Sequence, residues 1–354
     1  MLKYFGQFRS SENGALRTIT SYPGARIRSG FAALCVIVLM VPLLISTVCA
    51  VEVPLRMGFT AITQNVLPFW IAKEEKLFEK YNLRVELIYI QSAGIGVPAL
   101  IGGDFQLLLG GVTNALQAAS MGAKMVILAT LGPTQWILYT RPEIKEISQL
   151  KGAILGVNRV GALDYYALRR LLQILDLSPN RDVKIVPAGA PLDRFLAIQN
   201  GLIHGALETD VSLARNPIKV NRLVDLAKAG VQDHGSALIT TASYLQSRPD
   251  VIDQFVRAFA EAIALAKRNK ELVKKGYSKY LRTNDEALLE LAYRTYALET
   301  VPKIPVFPVE VLKNVLADLA EGNPKIKEVG IEAVLNNTFL QRLVDSGFID
   351  RLYR

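Results

Sequence analysis

Four stretches of the chain put small or polar residues directly ahead of a helical pattern: Thr60 to Asn65, Ser92 to Gly94, Gly110 to Asn114 and Asn158 to Ala162. In them Thr60, Gln64, Asn65, Ser92, Ala93, Gly94, Gly111, Thr113, Asn114, Asn158, Gly161 and Ala162 offer hydroxyls, amides or close backbone N–H groups. Glycine lets the backbone approach a ligand, and the start of a helix favours negative charge. Ordinary turns and caps explain any one such loop; four of them on two sheets suggest capture of a small anion. Arg159 lies between an apolar strand and a helix start. There it either grips a carboxylate, sulfonate or phosphate or pairs with Asp164 or Asp182 at the surface. Glu208 ends the apolar run Gly205-Ala206-Leu207 and is a candidate for recognising an amine or hydroxyl, or for binding backbone of the first lobe at the hinge.

Bond-making chemistry has little to build on. There is no G-x-S-x-G elbow, H-E-x-x-H, P-loop or G-x-G-x-x-G fingerprint. The only histidines, His204 and His234, lack metal-ligand spacing, and His204 beside Gly205 reads as a strand-edge residue. No cofactor and no metal is expected. Trp70, between Phe69 and Ile71, reads as core, and Trp136 as a residue at the mouth of a cleft.

The elements that must hold these loops read as two α/β units. Strands are expected at Val53 to Phe59, Leu83 to Ile90, Phe105 to Leu109 and Met125 to Leu131, with helices over Val66 to Tyr81, Ile95 to Ile101 and Val112 to Met121. That alternation implies a parallel sheet with helices on both faces. Gly132-Pro133-Thr134 breaks it and is the candidate first crossover. A second unit follows, with strands at Trp136 to Thr140, Ala153 to Val157, Val183 to Val186 and Ala206 to Glu208. Its helices fall at Gly161 to Leu175 and Pro191 to Asn200. Ala237 to Thr241 reads as a strand returning to the first unit, followed by helices at Asp250 to Lys274, Asp285 to Leu298, Pro308 to Glu321 and Ile331 to Val344. The expected division is a leader over 1–50, lobe 1 over 51–134, lobe 2 over 135–236, and the return with C-terminal helices over 237–354. Ligands of open α/β sheets sit outside the carboxyl ends of the strands, so the cleft between the lobes is the expected site.

The N-terminus reads as an export leader. Basic residues up to Arg28 precede an apolar run from Phe31 to Val48, and Val48-Cys49-Ala50 suits cleavage after Ala50. At about 18 residues, interrupted by Pro42, the run is at the lower limit for a membrane anchor. An uncleaved anchor or a lipoprotein at Cys49 are the alternatives, although Val48 stands where a lipobox wants Gly or Ala. Both cysteines, Cys35 and Cys49, fall in this segment, so the mature chain has no disulfide framework or thiol chemistry. Charge is +9 for the whole chain, of which +4 lies in the first fifty residues; the rest sits in mixed-sign runs typical of solvated helix faces. A nucleic-acid partner is not expected.

Several runs carry a family resemblance. Gly58-Phe59 with Pro68-Phe69-Trp70-Ile71-Ala72-Lys73-Glu74-Glu75-Lys76-Leu77-Phe78-Glu79-Lys80-Tyr81-Asn82-Leu83 is one, and Pro98-Ala99-Leu100-Ile101-Gly102-Gly103-Asp104-Phe105 a second. Leu150-Lys151-Gly152 with Leu155-Gly156-Val157, Gly161 and Asp164-Tyr165 is a third. The last joins Arg181-Asp182-Val183, Leu196-Ala197-Ile198-Gln199-Asn200-Gly201 and Gly205-Ala206. In this order, over about residues 54–300, they resemble solute-binding proteins of the nitrate/sulfonate/taurine type, which include thiamine-pyrimidine-precursor binders. The resemblance implies a type II periplasmic-binding fold with two α/β lobes, a ligand cleft and a helical C-terminal extension. It also implies a monomer that hands a small, anionic organic solute to an ABC permease in the membrane, in the periplasm. By position it assigns contacts to the loops named above, including Arg159, and adds Gly189 and Glu208. The chain departs from the pattern at Asn158-Arg159-Val160, where members carry Ser or Thr, and at Thr209, where Pro is common. A thiamine-pyrimidine-synthase-like enzyme, which needs a cysteine-rich stretch that this chain lacks, and a ligand-sensing receptor are the alternative readings.

Overall fold

The computed structural model describes residues 52–354 except 61, 91, 92 and 232–234, and leaves the side chain of Ala93 undescribed. The leader expected over 1–50, both cysteines, Ser92 and His234 lie outside the described residues.

Two five-stranded sheets organise the chain. The first has the order β2-β1-β3-β10-β4: β1 is Val53–Phe59, β2 Leu83–Tyr89, β3 Leu107–Gly111, β4 Met125–Thr130 and β10 Ser236–Thr241. The second has the order β7-β6-β8-β5-β9: β5 is Ile137–Thr140, β6 Ile154–Val157, β7 Lys184–Pro187, β8 Gly205–Glu208 and β9 Asn221–Asp225. Neither is wholly parallel, contrary to the expectation from strand-helix alternation. The return strand β10 inserts antiparallel between β3 and β4, and β5 lies antiparallel between β8 and β9. A strand reached by an interlobe crossover arrives from the opposite end of the sheet, so it must run against its neighbours.

The strands are buried on both faces, and alternate residues feed separate cores. In β1, Leu55, Met57 and Phe59 face a core built with α1 (Leu67–Glu74), α2 (Leu77–Lys80) and, much later in the chain, α9 (Pro249–Arg268). On the other face Leu108, Ile127 and Ile239 pack with α3 (Ala93–Gly102) and α4 (Val112–Ser120). In the second lobe, Leu155 and Leu207 pack against α5 (Leu163–Ile174), and Ala206 against α6 (Pro191–Gln199). The short α7 (Asp210–Arg215) follows β8, and α8 (Ala242–Ser247) follows β10.

The helices of the C-terminal region break where the sequence pattern is continuous. Asn269 caps α10 (Lys270–Leu281) by accepting from the Leu272 N–H, ending α9 there rather than running on to Lys274. α11 (Glu286–Ala292) passes into a π-helical turn over Tyr293–Thr300. Then come α12 (Val309–Ala320), α13 (Ile331–Val334), α14 (Thr338–Asp345) and α15 (Phe348–Leu352). In lobe 1, the helix expected over Val66 to Tyr81 is split by Lys76, whose φ of 53° is left-handed. Among the described residues no helix is long and apolar enough to cross a membrane.

Lobe 1 and the C-terminal helices share one core. Phe69 of α1 stacks on Phe259 of α9 at 4.9 Å between ring centres, with Phe255 at 5.9 Å. Trp70 is 2% exposed and stacks on Tyr280 at 4.6 Å, so it is core, as its helical spacing suggests. Phe259→Ala is therefore expected to cost about 3–5 kcal/mol, the usual loss for a buried Phe. Urea unfolding checks it, and a loss below about 1 kcal/mol would show that α9 does not anchor lobe 1.

Candidate functional site

The two sheets face each other across a cavity of ≈ 570 Å³ at the carboxyl ends of β1, β7 and β8. The lobe 1 side is Thr63, Gln64 and Asn65 just past β1, with Ser236 at the start of β10 and Leu281 and Thr300 from the C-terminal helices. The first crossover contributes Pro133 to Trp136. Lobe 2 supplies Leu163, the start of α6 and the run from Glu208 to Asn216. Amides, hydroxyls and one indole thus dominate its polar lining, with Leu163, Leu192, Val211 and Leu281 as apolar surface.

The lobe 2 wall is built around a buried cation. Arg194, Asp164 and Glu208 are 3%, 4% and 1% exposed. Arg194 donates from Nε to Glu208 Oε1 at 2.7 Å, with its Nη2 at 2.6 Å from the same oxygen. Its Nη1 donates to the Gly189 carbonyl at 2.6 Å and lies 3.4 Å from Asp164 Oδ2. Asp164 in turn accepts from the Asn158 N–H at 2.6 Å and the Tyr165 N–H at 3.1 Å. One guanidinium thereby ties together the loops that leave β6, β7 and β8.

Lobe 1 sets its loop differently. Tyr277 of α10 and Tyr296 of the π-helical turn, both fully buried, donate to the carbonyls of Gln64 at 3.4 Å and Asn65 at 3.3 Å. Burial drives both phenols well above their ordinary pKa, so they act as donors at any physiological pH. The Asn65 amide then reaches Ser236 Oγ at 3.5 Å. The crossover is pinned as well. Gly132 has φ +90°, and a Cβ there would stand 2.3 Å from the Thr300 carbonyl oxygen, so no larger residue fits the approach.

Of the residues that the sequence nominates, Gln64, Asn65 and Glu208 line this cavity. Thr113 instead lines a smaller interlobe cavity of ≈ 120 Å³. Ala93 begins α3; Thr60, which donates its N–H to the Leu109 carbonyl, Gly94, Gly111, which caps α4, and Asn114 beside it line neither cavity. Asn158, Arg159, Gly161 and Ala162 precede α5 outside the lining, with Asn158 and Arg159 exposed. Arg159 is paired neither with Asp164 nor with Asp182, because those carboxylates are engaged by Arg194 and Arg181. Gly189 contributes its carbonyl to Arg194. Glu208 has its ionic partner in its own lobe and not at the hinge.

Sequence reasoning missed Arg194, Tyr277, Tyr296 and Arg215. An arginine three residues after the helix-starting Pro191 carries no signal of burial, and the tyrosines lie some 210 and 230 residues beyond their partners. Trp136, expected at the mouth, is on the lining. His204 is structural: its Nδ1 accepts from the Ile154 N–H at 3.0 Å, and burial followed by the nearby Arg141 charge lowers its pKa. Among the described residues no group of three or more His, Cys, Asp or Glu is placed to hold a metal ion. The arrangement can enclose and orient a solute.

The buried cluster has a pH consequence. Burial raises the carboxyl of Glu208 above its ordinary 4.5 and that of Asp164 above 3.8, and the Arg194 charge opposes both shifts. The folded chain thus holds protons that the unfolded chain releases. The contribution of these groups to stability falls as pH rises from about 4 through their raised values, and is regained on acidification. Without Arg194 both values rise further. Arg194→Ala is expected to cost about 3–5 kcal/mol at neutral pH, since it leaves two buried carboxylates uncompensated. The loss should shrink as pH falls through their raised values, where they take up protons. Urea titrations over a series of pH values below neutrality check this; a pH-independent loss would mean that charge compensation is not the role of Arg194.

The sequence of this chain matches no curated protein, but residues 63–271, more than half of it, match the model of the NMT1/THI5-like family. Its fold is similar to that of the periplasmic aliphatic sulphonate binding protein of Escherichia coli. That match has 21% identity and a TM-score of 0.65, and covers 77% of this chain and 94% of that one. The alkanesulfonate-binding protein of Xanthomonas axonopodis pv. citri bound to MOPS matches at 18% identity and TM-score 0.64, over 80% of this chain and 98% of that one. The periplasmic nitrate-binding protein of Synechocystis PCC 6803 matches at 13% and 0.62, over 83% and 89%. Two mixed α/β lobes facing across a cavity, with helices from the chain's end packed onto the first, are the type II periplasmic-binding fold, and the chain belongs to the NMT1/THI5-like family.

Proposed function

We propose that this protein is the extracytoplasmic solute-binding component of an ABC importer, and that it captures a small anionic organic solute by closing its two lobes. The carrying observation is the ≈ 570 Å³ cavity between the carboxyl ends of the two sheets, a volume suited to a small organic molecule. Family membership and the binding proteins named above, which take sulfonates and nitrate, support the same reading. An export leader, a permease partner and a monomeric state belong to it. The lining of amides, hydroxyls and apolar side chains suits binding of a small solute.

The charge preference rests on Arg215. Arg194 and Glu208 already satisfy one another, so the pair brings no free positive charge to a ligand. Arg215 at the end of α7 lines the cavity, is exposed, and has no carboxylate partner among the described residues. It is the cation placed to meet a sulfonate or carboxylate, with Trp136, Gln64 and Asn65 to orient the rest.

Calorimetry and small-angle scattering against sulfonates, carboxylates, nitrate and pyrimidine precursors test the reading. Binding should reduce the radius of gyration and return the solute chemically unchanged; recovery of a modified solute would instead establish an enzyme. Arg215→Ala is expected to weaken an anionic solute by about 1.5–3 kcal/mol, the usual value for a charge-assisted hydrogen bond. Arg159→Ala is the comparison: a larger loss there would move the anion contact onto the loop before α5.

A further inference from the structure

The space between the lobes is divided, and one side chain divides it. Among the described residues, the larger cavity of ≈ 570 Å³ and the smaller of ≈ 120 Å³ share a single lining residue, Leu163, the first residue of α5 in lobe 2. Leu163 meets the backbone at Gly235, just before the return strand β10. A Cβ placed on Gly235 would stand 1.7 Å from Leu163 Cδ2 and 2.9 Å from its Cγ. Gly235 is itself fixed to lobe 1, because its carbonyl accepts the N–H of Val112 at 3.1 Å, where α4 begins. The contact is therefore a leucine of one lobe seated on a bare backbone position of the other. It forms only while the lobes are together, and glycine is required there by space.

Beyond Leu163 the smaller cavity has its own surface: Ala167, Val231 and Val315 as apolar wall, with Thr113, Tyr166 and the ion pair of Arg170 with Asp318. Its volume would hold about four water-sized groups. Among the described residues nothing else lines both compartments, so removing the leucine side chain is expected to open one toward the other. A solute anchored by its anionic end near Arg215 would then gain length without displacing its polar contacts.

Resting on the reading of the larger cavity as a solute site, we infer that Leu163 is a specificity-determining partition, which limits the length of solute that the closed cleft accepts. A hydrophobic wall discriminates against one extra methylene by roughly ten- to two-hundredfold, so one leucine is enough to set a cut-off.

The test is calorimetric titration of linear sulfonates and carboxylates of increasing chain length into the wild type, Leu163→Ala and Leu163→Met. The wild type should bind short homologues and lose affinity sharply beyond one length. Leu163→Ala should move that cut-off to longer homologues, improving the longest at least about tenfold relative to the shortest. Leu163→Met, of similar volume, should keep the wild-type order. Scattering gives a second readout of the same contact. Gly235→Ala should prevent the compaction that solute induces, and Leu163→Ala in the same chain should restore it. Binding by both proteins with an unchanged order of lengths overturns the partition alone, as does compaction of Gly235→Ala like the wild type. Absence of binding for every homologue in both proteins overturns the anionic-solute reading and this inference with it.

Discussion

One buried guanidinium fixes the geometry of the ligand-facing wall. Strands β6, β7 and β8 are only four residues each, and the loops leaving them could splay without a common anchor. Arg194 supplies it by touching Glu208 at the end of β8, the Gly189 carbonyl past β7 and, through Asp164, the Asn158 N–H past β6. A planar group with several fixed donors can reach three loops at once, which a lysine cannot. The cost of burying three charges is met by their mutual hydrogen bonds. Two carboxylates around one cation also leave this cluster without spare positive charge, so attraction for an anion would have to come from another side chain on the lining.

The opposite wall is organised from a distance. The loop after β1 has no ion pair to hold it; its carbonyls are held by hydroxyls of Tyr277 and Tyr296, which arrive from helices almost at the chain's end. The C-terminal helices thus do two jobs. They complete the core of lobe 1 through Phe255 and Phe259, and they aim Gln64 and Asn65 into the cavity. α12 also reaches lobe 2: Arg170 of α5 lies 3.8 Å from Asp318, and Arg169 pairs with Glu321 at 2.5 Å. These partly exposed pairs are screened by salt and individually weak, which would suit the proposed lobe closure.

Much of the fold is legible in the sequence because strands buried on both faces are short apolar runs, and glycine or proline marks their ends. Val53 to Phe59 reads as a strand with the bounds it has. Direction and breaks are harder. Nothing local in Ser236–Thr241 shows that it inserts antiparallel between β3 and β4, since pairing is decided by a sheet assembled from distant residues. The split of α9 from α10 is local, and Asn269 is its signal, but an apolar pattern continuing through it masks the cap. For the site, loops before helices are recognisable as a type, and Gln64, Asn65 and Glu208 lie on the cavity. Their supporting partners are not recognisable, because a buried Arg194 and an exposed Arg159 look alike until the burial is known.

The two walls also differ in when their electrostatic cost is met. In lobe 2 the charges are desolvated and paired within one lobe, so the wall is complete whether or not the lobes meet. In lobe 1 the loop is tied by single uncharged hydrogen bonds, among them those to the tyrosine hydroxyls at 3.3 and 3.4 Å, long for such contacts. In the proposed reading, closure would bring the charge-compensated cluster of lobe 2 against a more compliant polar loop. The compliant side would adjust to a solute's shape, while the rigid side would define where it stops. Preorganisation of one partner reduces the ordering cost of binding, and leaving the other adjustable would keep a complex reversible. A cluster with no spare charge further means that selectivity would fall to individual lining residues, such as Arg215 on the same wall or Leu163, and not to the buried ion pairs.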